Sequence, residues 1–270
     1  MLILSSPPSV NKQSPSPFRY PGGKSWLLPL LNQWYSYYNC KCSGSVIVEP
    51  FCGGAAVSLF SILNNWVSKA IMVEVDPDVS AVWKTILGAN GDWLTERISQ
   101  FDLSPENVNT LLQDHLLSSE QHIAFKTILK NRVSRGGVIA PGSGRLNKGE
   151  KNKGISSRWY PQTLIDRIEK IQERKNDITF YEDDGITFLK KYVENQKDSF
   201  FFIDPPYYEI GRRLYKHHEI DHEILFHLVS QLVQPYIVTY NDHPYVRNLI
   251  RLHRLTFIEV GMRNSHNSNK

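Results

Sequence analysis

The sequence predicts an α/β fold, a sheet flanked by helices on both faces with a mostly helical lobe inserted into its succession. Three observations carry that reading. Short β-rich runs alternate with helical patterns along most of the 270 residues, as expected of an α/β sheet. The alternation stops between residues 89 and 176, where helical patterns flank a basic, glycine-rich loop. That stretch also differs in charge: residues 126–158 hold nine Lys or Arg against the single acid Glu150, so with +4 overall the remainder sums to −4.

The elements follow in order. Residues 1–17 are rich in Ser and Pro and read as a disordered lead-in. Strands are expected at 45–49, 69–75, 177–181, 199–203, 235–240 and 254–260, each a short β-branched or aromatic run. Helices are expected near 24–38, 54–65, 77–88, 161–173, 185–194, 221–233 and 242–251, where apolar residues recur at helical spacing. The core thus comprises 18–88 and 177–270, and 89–176 is the inserted lobe. No apolar run is long enough to span a bilayer, and the N-terminus lacks the pattern of a secretion signal. The three cysteines, Cys40, Cys42 and Cys52, are too few and too irregular for a disulfide framework, so a cytoplasmic protein is expected.

Five stretches carry candidate chemistry. In 46-VIVEPFCGGAAVSLF-60 a buried strand ends at Glu49, and Gly53 and Gly54 lead into a helix. Such a turn lets a ligand approach the backbone beside the carboxyl ends of the strands. The spacing is not that of the dinucleotide fingerprint, and a tight strand-to-helix turn explains the glycines as well. Twenty-five residues after Glu49, the next strand ends in Glu74, an acid placed to accept ribose hydroxyls. Asp76 or Asp78 is left to start the following helix. These two elements suggest a nucleoside ligand without a pyrophosphate.

At 19-RYPGGK-24 the glycines suggest a P-loop, but Phe18 stands where that motif needs glycine. What survives is a glycine turn presenting Tyr20 and Lys24. At 218-HEIDH-222 the zinc-hydrolase pattern appears, but Asp221 reads as the cap of a helix that would leave His218 outside it. No metal is expected there.

The fifth stretch is 199-SFFFIDPPY-207, an apolar strand running straight into Asp204, Pro205, Pro206 and Tyr207. An exocyclic amine on a flat base is a poor nucleophile because its lone pair is delocalised. Two acceptors, the Asp204 carboxylate and the Pro205 carbonyl, would hold both amine hydrogens and favour a tetrahedral nitrogen. The prolines fix the turn, and Tyr207 would stack on a base turned out of its duplex. The plainer reading is a strand stopped by prolines.

Together, R-Y-P-G-G-K at 19–24, V-E-P-F-C-G-G-A-A-V at 48–57 and I-D-P-P-Y at 203–207 resemble, in order, the motifs of the Dam-type (D12 class) DNA adenine-N6 methyltransferases. The resemblance implies a Rossmann-like S-adenosylmethionine-dependent methyltransferase core. Its mixed sheet would have seven strands, or six where the last is absent. It implies that Tyr20, Lys24, Glu49, Pro50 and Phe51 lie along the methionine side of the cofactor, Glu74 at its ribose and Asp184 at its adenine, with Gly53 also among the cofactor-binding residues and Asp204 beside the donor. N-R-V-S-R-G-G at 131–137 is similar to the family's target-recognition segment. Asn131, Arg132, Arg135, Arg145, Lys148, Lys151 and Lys153 are therefore the expected DNA contacts. The implied activity is N6 methylation of adenine in double-stranded DNA by a monomer, with a cognate restriction endonuclease as a partner open to it. N4-cytosine or RNA methylation, a non-catalytic DNA-binding module and a zinc hydrolase through His218, Glu219 and His222 are the alternatives.

Overall fold

The computed structural model describes residues 14–19, 24, 27, 31, 45–140, 143–146, 153–192, 199–209 and 220–259. Five strands, β1 (Val46–Glu49), β2 (Lys69–Glu74), β3 (Ile178–Glu182), β4 (Ser199–Ile203) and β5 (Tyr236–Val238), form one sheet in the order β3-β2-β1-β4-β5. Every pairing is parallel. Parallel strands need crossovers and are covered on both faces, which explains their near-continuous apolar runs. Side chains alternate accordingly. Ile47, Met72, Phe200 and Phe202 enter one core, and Val48, Val73, Phe201 and Ile203 the other.

Nine α-helices stand among the described residues: α1 (Ala56–Leu63), α2 (Pro77–Leu87), α3 (Gly91–Gln100), α4 (Pro105–Gln113), α5 (Glu120–Val133), α6 (Pro161–Gln172), α7 (Gly185–Tyr192), α8 (His222–Ser230) and α9 (Pro244–Leu252). Local chemistry sets several starts. Asp76 accepts from the Asp78 N–H at 2.9 Å ahead of Pro77, and Asp221 accepts from the Ile224 N–H at 2.9 Å. Both side chains satisfy orphan donors of a first helical turn.

Helices α7 and α8 cover one face of the sheet through Phe188, Leu189, Leu225 and Val229. The other face is covered by α1 and α2, and the apolar residues of α3 to α6 continue that same core, including Leu94, Val108, Phe125 and Leu164. Segment 89–176 thus shares its apolar interior with the sheet face rather than holding a core of its own.

The expected mixed sheet is not what forms: among the described residues the sheet is all-parallel and five-stranded. The sixth run, 254–260, makes no strand through residue 259; Phe257 is 53 % and Ile258 89 % exposed. Arg247 of α9 instead bonds Glu259 at 2.7 Å and lies 5.5 Å from the Phe257 ring centre. The lead-in also departs from expectation at its end. Ser16 is 2 % exposed, its carbonyl accepts from Arg167 at 3.0 Å, and the Pro17 carbonyl accepts from Arg132.

Phe201 is wholly enclosed in the central strand. Phe201→Ala should cost about 3–5 kcal/mol through lost transfer energy and the cavity left behind, seen as a lower midpoint in urea unfolding. Phe257→Ala, at an exposed position, should move that midpoint little.

Candidate active site

The strand order fixes where a site can lie. From β1 the chain winds through β2 to β3 on one side and then resumes at β4 on the other, so β1 and β4 flank a topological switch point. The crevice beyond their carboxyl ends receives the residues that follow Glu49 and Ile203.

The loop after β1 is held from several sides. Glu49 is 3 % exposed and its Oε2 accepts from the Ser58 N–H at 3.0 Å. Gly53 has φ 45°, a conformation glycine adopts without steric cost. Its N–H donates to Glu74 Oε2 at 2.8 Å, and its carbonyl accepts from Trp83 Nε1 at 2.8 Å. The other Glu74 oxygen, Oε1, accepts from the Asp76 N–H at 2.8 Å. Ala55 then takes φ 48°, unusual for a residue with a side chain, where α1 begins. Gly185 closes the far wall: a Cβ there would collide with the Pro50 carbonyl oxygen and stand 2.7 Å from the Phe51 ring.

These elements line one cleft with Lys24, Glu49, Gly53, Glu74, Asp76 and Asp204 among its walls, and Pro50, Phe51 and Pro206 beside them. Removal from water pushes Glu49 up to about 8, against the Ser58 hydrogen bonds, and the Asp204 charge adds to the rise. Burial likewise pushes Glu74 up to about 7, against the Asp76 and Gly53 amides.

Asp204, one residue beyond β4, is gripped at both oxygens. Lys24 Nζ lies 2.6 Å from Oδ2, and the Thr239 hydroxyl donates to Oδ1. Burial alone would lower the Lys24 pKa; the attractions of Asp204 and Tyr207 outweigh it and leave it raised. The same ammonium stands 5.3 Å from the Tyr207 ring centre. Tyr207 lies nearly parallel to Tyr240, with centroids 6.0 Å apart and planes at 20°, and the Tyr240 hydroxyl meets His222 Nδ1 at 2.6 Å. A carboxylate fixed at both oxygens, beside an aromatic face, suits recognition of a flat group bearing hydrogen-bond donors.

The cleft thus brings together Lys24, Glu49, Pro50, Phe51, Gly53, Glu74, Asp204 and Pro206. Asp184 Oδ1 accepts from the Thr187 N–H at 2.8 Å and caps α7, and Gly185 beside it lines the cleft. Asn131 is 1 % exposed and spends its amide on the Arg19 N–H, the Arg19 carbonyl and the Gly137 carbonyl, each at 2.7–2.8 Å. It ties chain segments together rather than presenting a surface. Arg132 is buried as well, whereas Arg135 is exposed and donates to the Arg145 carbonyl at 3.1 Å. The Arg145 guanidinium in turn meets Asn109, and Lys153 is exposed just ahead of the turn at Gly154–Arg158. Tyr20, Lys148, Lys151, His218 and Glu219 lie outside the described residues, as do Cys40 and Cys42. Among the described residues no group of His, Cys, Asp and Glu could hold a metal ion.

Sequence reading missed Thr239 and Tyr240. Both follow the apolar run of β5 at its carboxyl end, the place where site residues gather in a parallel sheet. Comparison with protein-family models and with curated proteins finds no match to this chain.

The raised carboxyls set a pH dependence. Glu49 and Glu74 hold protons more tightly folded than unfolded, so their protonated forms favour the native state below pH 4.5, and that advantage is lost as pH rises toward 8. Urea midpoints should therefore fall between pH 5 and 9. Glu49→Gln should fall less over that range; parallel curves would show that Glu49 ionises normally.

Proposed function

We propose that this protein is a site-specific DNA adenine methyltransferase, moving a methyl group from S-adenosylmethionine to N6 of adenine in double-stranded DNA. The observation that carries the reading is the position of Asp204 at the switch point of the parallel sheet, with its carboxylate lining the same cleft as Glu49, Gly53 and Glu74. The motif order Arg19 to Lys24, Val48 to Val57 and Ile203 to Tyr207 supports the same class.

The cleft residues fit the cofactor by their chemistry. Glu49, Glu74, Asp76 and Asp204 line it, and their carboxyls offer hydrogen-bond partners to the polar groups of such a cofactor. Glu74 keeps lone pairs beyond the two backbone N–H groups it already accepts, so ribose hydroxyls can be received there. When bound, S-adenosylmethionine supplies an electrophilic methyl group on a sulfonium.

The protein's part is binding and orientation. Asp204 Oδ2 has a second lone pair besides the one facing Lys24, and it accepts one hydrogen of the adenine amino group; the Pro205 carbonyl accepts the other. Two such acceptors bias the nitrogen toward a tetrahedral form whose lone pair is free to attack. As the nitrogen gains positive charge, the Asp204 carboxylate stabilises it. Tyr207 stacks on the base, and Tyr240 backs Tyr207. Thr239 is a positioning residue, keeping Oδ1 engaged so that Oδ2 faces the substrate.

Unmethylated genomic DNA incubated with the protein and labelled donor should yield N6-methyladenine on nucleoside analysis. N4-methylcytosine would redirect the base assignment, and label in neither base would overturn the reading. Asp204→Ala should lower the rate by about a hundredfold or more while leaving donor binding, followed by calorimetry, within about twofold. Thr239→Val should lower kcat about tenfold, the worth of one hydrogen bond to a charged group. KM should hold and Thr239→Ser should restore the rate; a change in KM alone would deny Thr239 that role.

A further inference from the structure

A second cavity, of about 370 Å³, opens beside the active-site cleft. Its wall brings together Arg19, Arg132 near the end of α5, Arg158 of the turn before α6, Arg167 on α6, and Lys24. No carboxylate lines it among the described residues. Lys24 and Phe18 line both cavities, so the two adjoin at the lysine that holds Asp204.

The arginines are built in rather than scattered over a surface. Arg132 is 5 % exposed, donates one Nη to the Pro17 carbonyl, and leaves its buried Nε without a hydrogen-bond partner. A guanidinium nitrogen shut away from water and unsatisfied is costly unless something accepts from it. Removal from water, and then the charges of Arg167, Arg19 and Arg158, pull the Arg132 pKa down to about 9. Arg167 is held by the Ser16 carbonyl at 3.0 Å. Packing like charges around one space costs free energy in the isolated protein. A multivalent oxyanion would offset that cost, because each guanidinium presents a planar fork to phosphate oxygens.

We propose that this cavity is a phosphate seat that takes one phosphodiester group of the nucleic-acid strand carrying the target base. The proposal rests on the methyltransferase reading for the identity of the ligand but not for the site itself. A backbone phosphate belongs here because the seat adjoins the cleft in which Asp204 would receive the base, with Lys24 lining both. Binding there would hold the strand while its base leaves the stack. Such a contact fixes register and carries no sequence information.

The test uses Arg158→Gln/Arg167→Gln, which leaves buried Arg132 in place, with Lys170→Gln/Lys175→Gln on exposed positions as a control for net charge. Binding of a fluorescent duplex is followed by anisotropy over a range of salt concentrations. Loss of one seated phosphate should make the slope of log K against log salt shallower by about 0.9, and affinity near physiological salt should fall about tenfold. The control should change the slope by less than half as much. In parallel, inorganic phosphate at tens of millimolar should raise the melting temperature of the wild type, and raise that of the arginine variant distinctly less. A duplex slope equal to the wild type's, or a control that matches the arginine variant, would overturn the seat and leave the catalytic reading intact. No duplex binding by the wild type, with the phosphate effect still lost in the variant, would uphold an anion seat and sink the nucleic-acid reading. Equal melting shifts in all three proteins, with the duplex slope unmoved, would dispose of the seat whatever the protein's substrate.

Discussion

One carboxylate organises the site. Asp204 is reached by Lys24 from 180 positions earlier in the chain and by Thr239 from 35 positions later. Neither contact is local, so each depends on the sheet that brings the ends of β4 and β5 together and on the segment that delivers Lys24. The pairing of β4 with β5 continues one step past the strands, where the Thr239 N–H donates to the Ile203 carbonyl at 3.0 Å. That bond sets Thr239 beside Asp204. The site is thus an extension of the sheet's own ladder, with chemistry beginning where apolar residues stop.

The acids show how a fold sustains several carboxyls in a small volume. Glu49 and Glu74 are both driven toward the neutral form by burial, and both are partly relieved by backbone N–H groups. Asp204 differs in having a cation at 2.6 Å. Environment therefore separates residues of similar chemistry into distinct roles: two that brace the loop after β1 and one that is paired with a cation at the cleft.

Much of this was legible in the chain. The strands announced themselves as short apolar runs because both faces of a parallel sheet are buried, and Asp76 and Asp221 announced helix starts because capping is a local interaction. The acids at the ends of β1, β2 and β4 followed from where such strands stop. Other features depend on contacts made far along the chain. Asn131 sits in a basic segment, yet it is spent on Arg19, 112 positions away. The run 254–260 has the composition of a strand, but through residue 259 it pairs with no other strand and its Glu259 and Phe257 meet Arg247 instead. Asp184 makes a local bond that its position also announces, accepting from the Thr187 N–H at the start of α7. Thr239 reads as an ordinary β-branched residue because its partner, Asp204, stands 35 positions away in the chain, just beyond β4.

The clamp on residues 16–19 has a consequence for how the molecule is made. Ser16, Pro17 and Arg19 are fastened by Arg167, Arg132 and Asn131, from 112 to 151 positions downstream. During synthesis these residues therefore emerge long before the residues that fasten them. The β1–β2 pair in the middle of the sheet can form early, while residues 16–19 can be fastened only once α5 and α6 have been made. The Lys24 ion pair waits longer still, because its partner Asp204 lies beyond both helices in the chain.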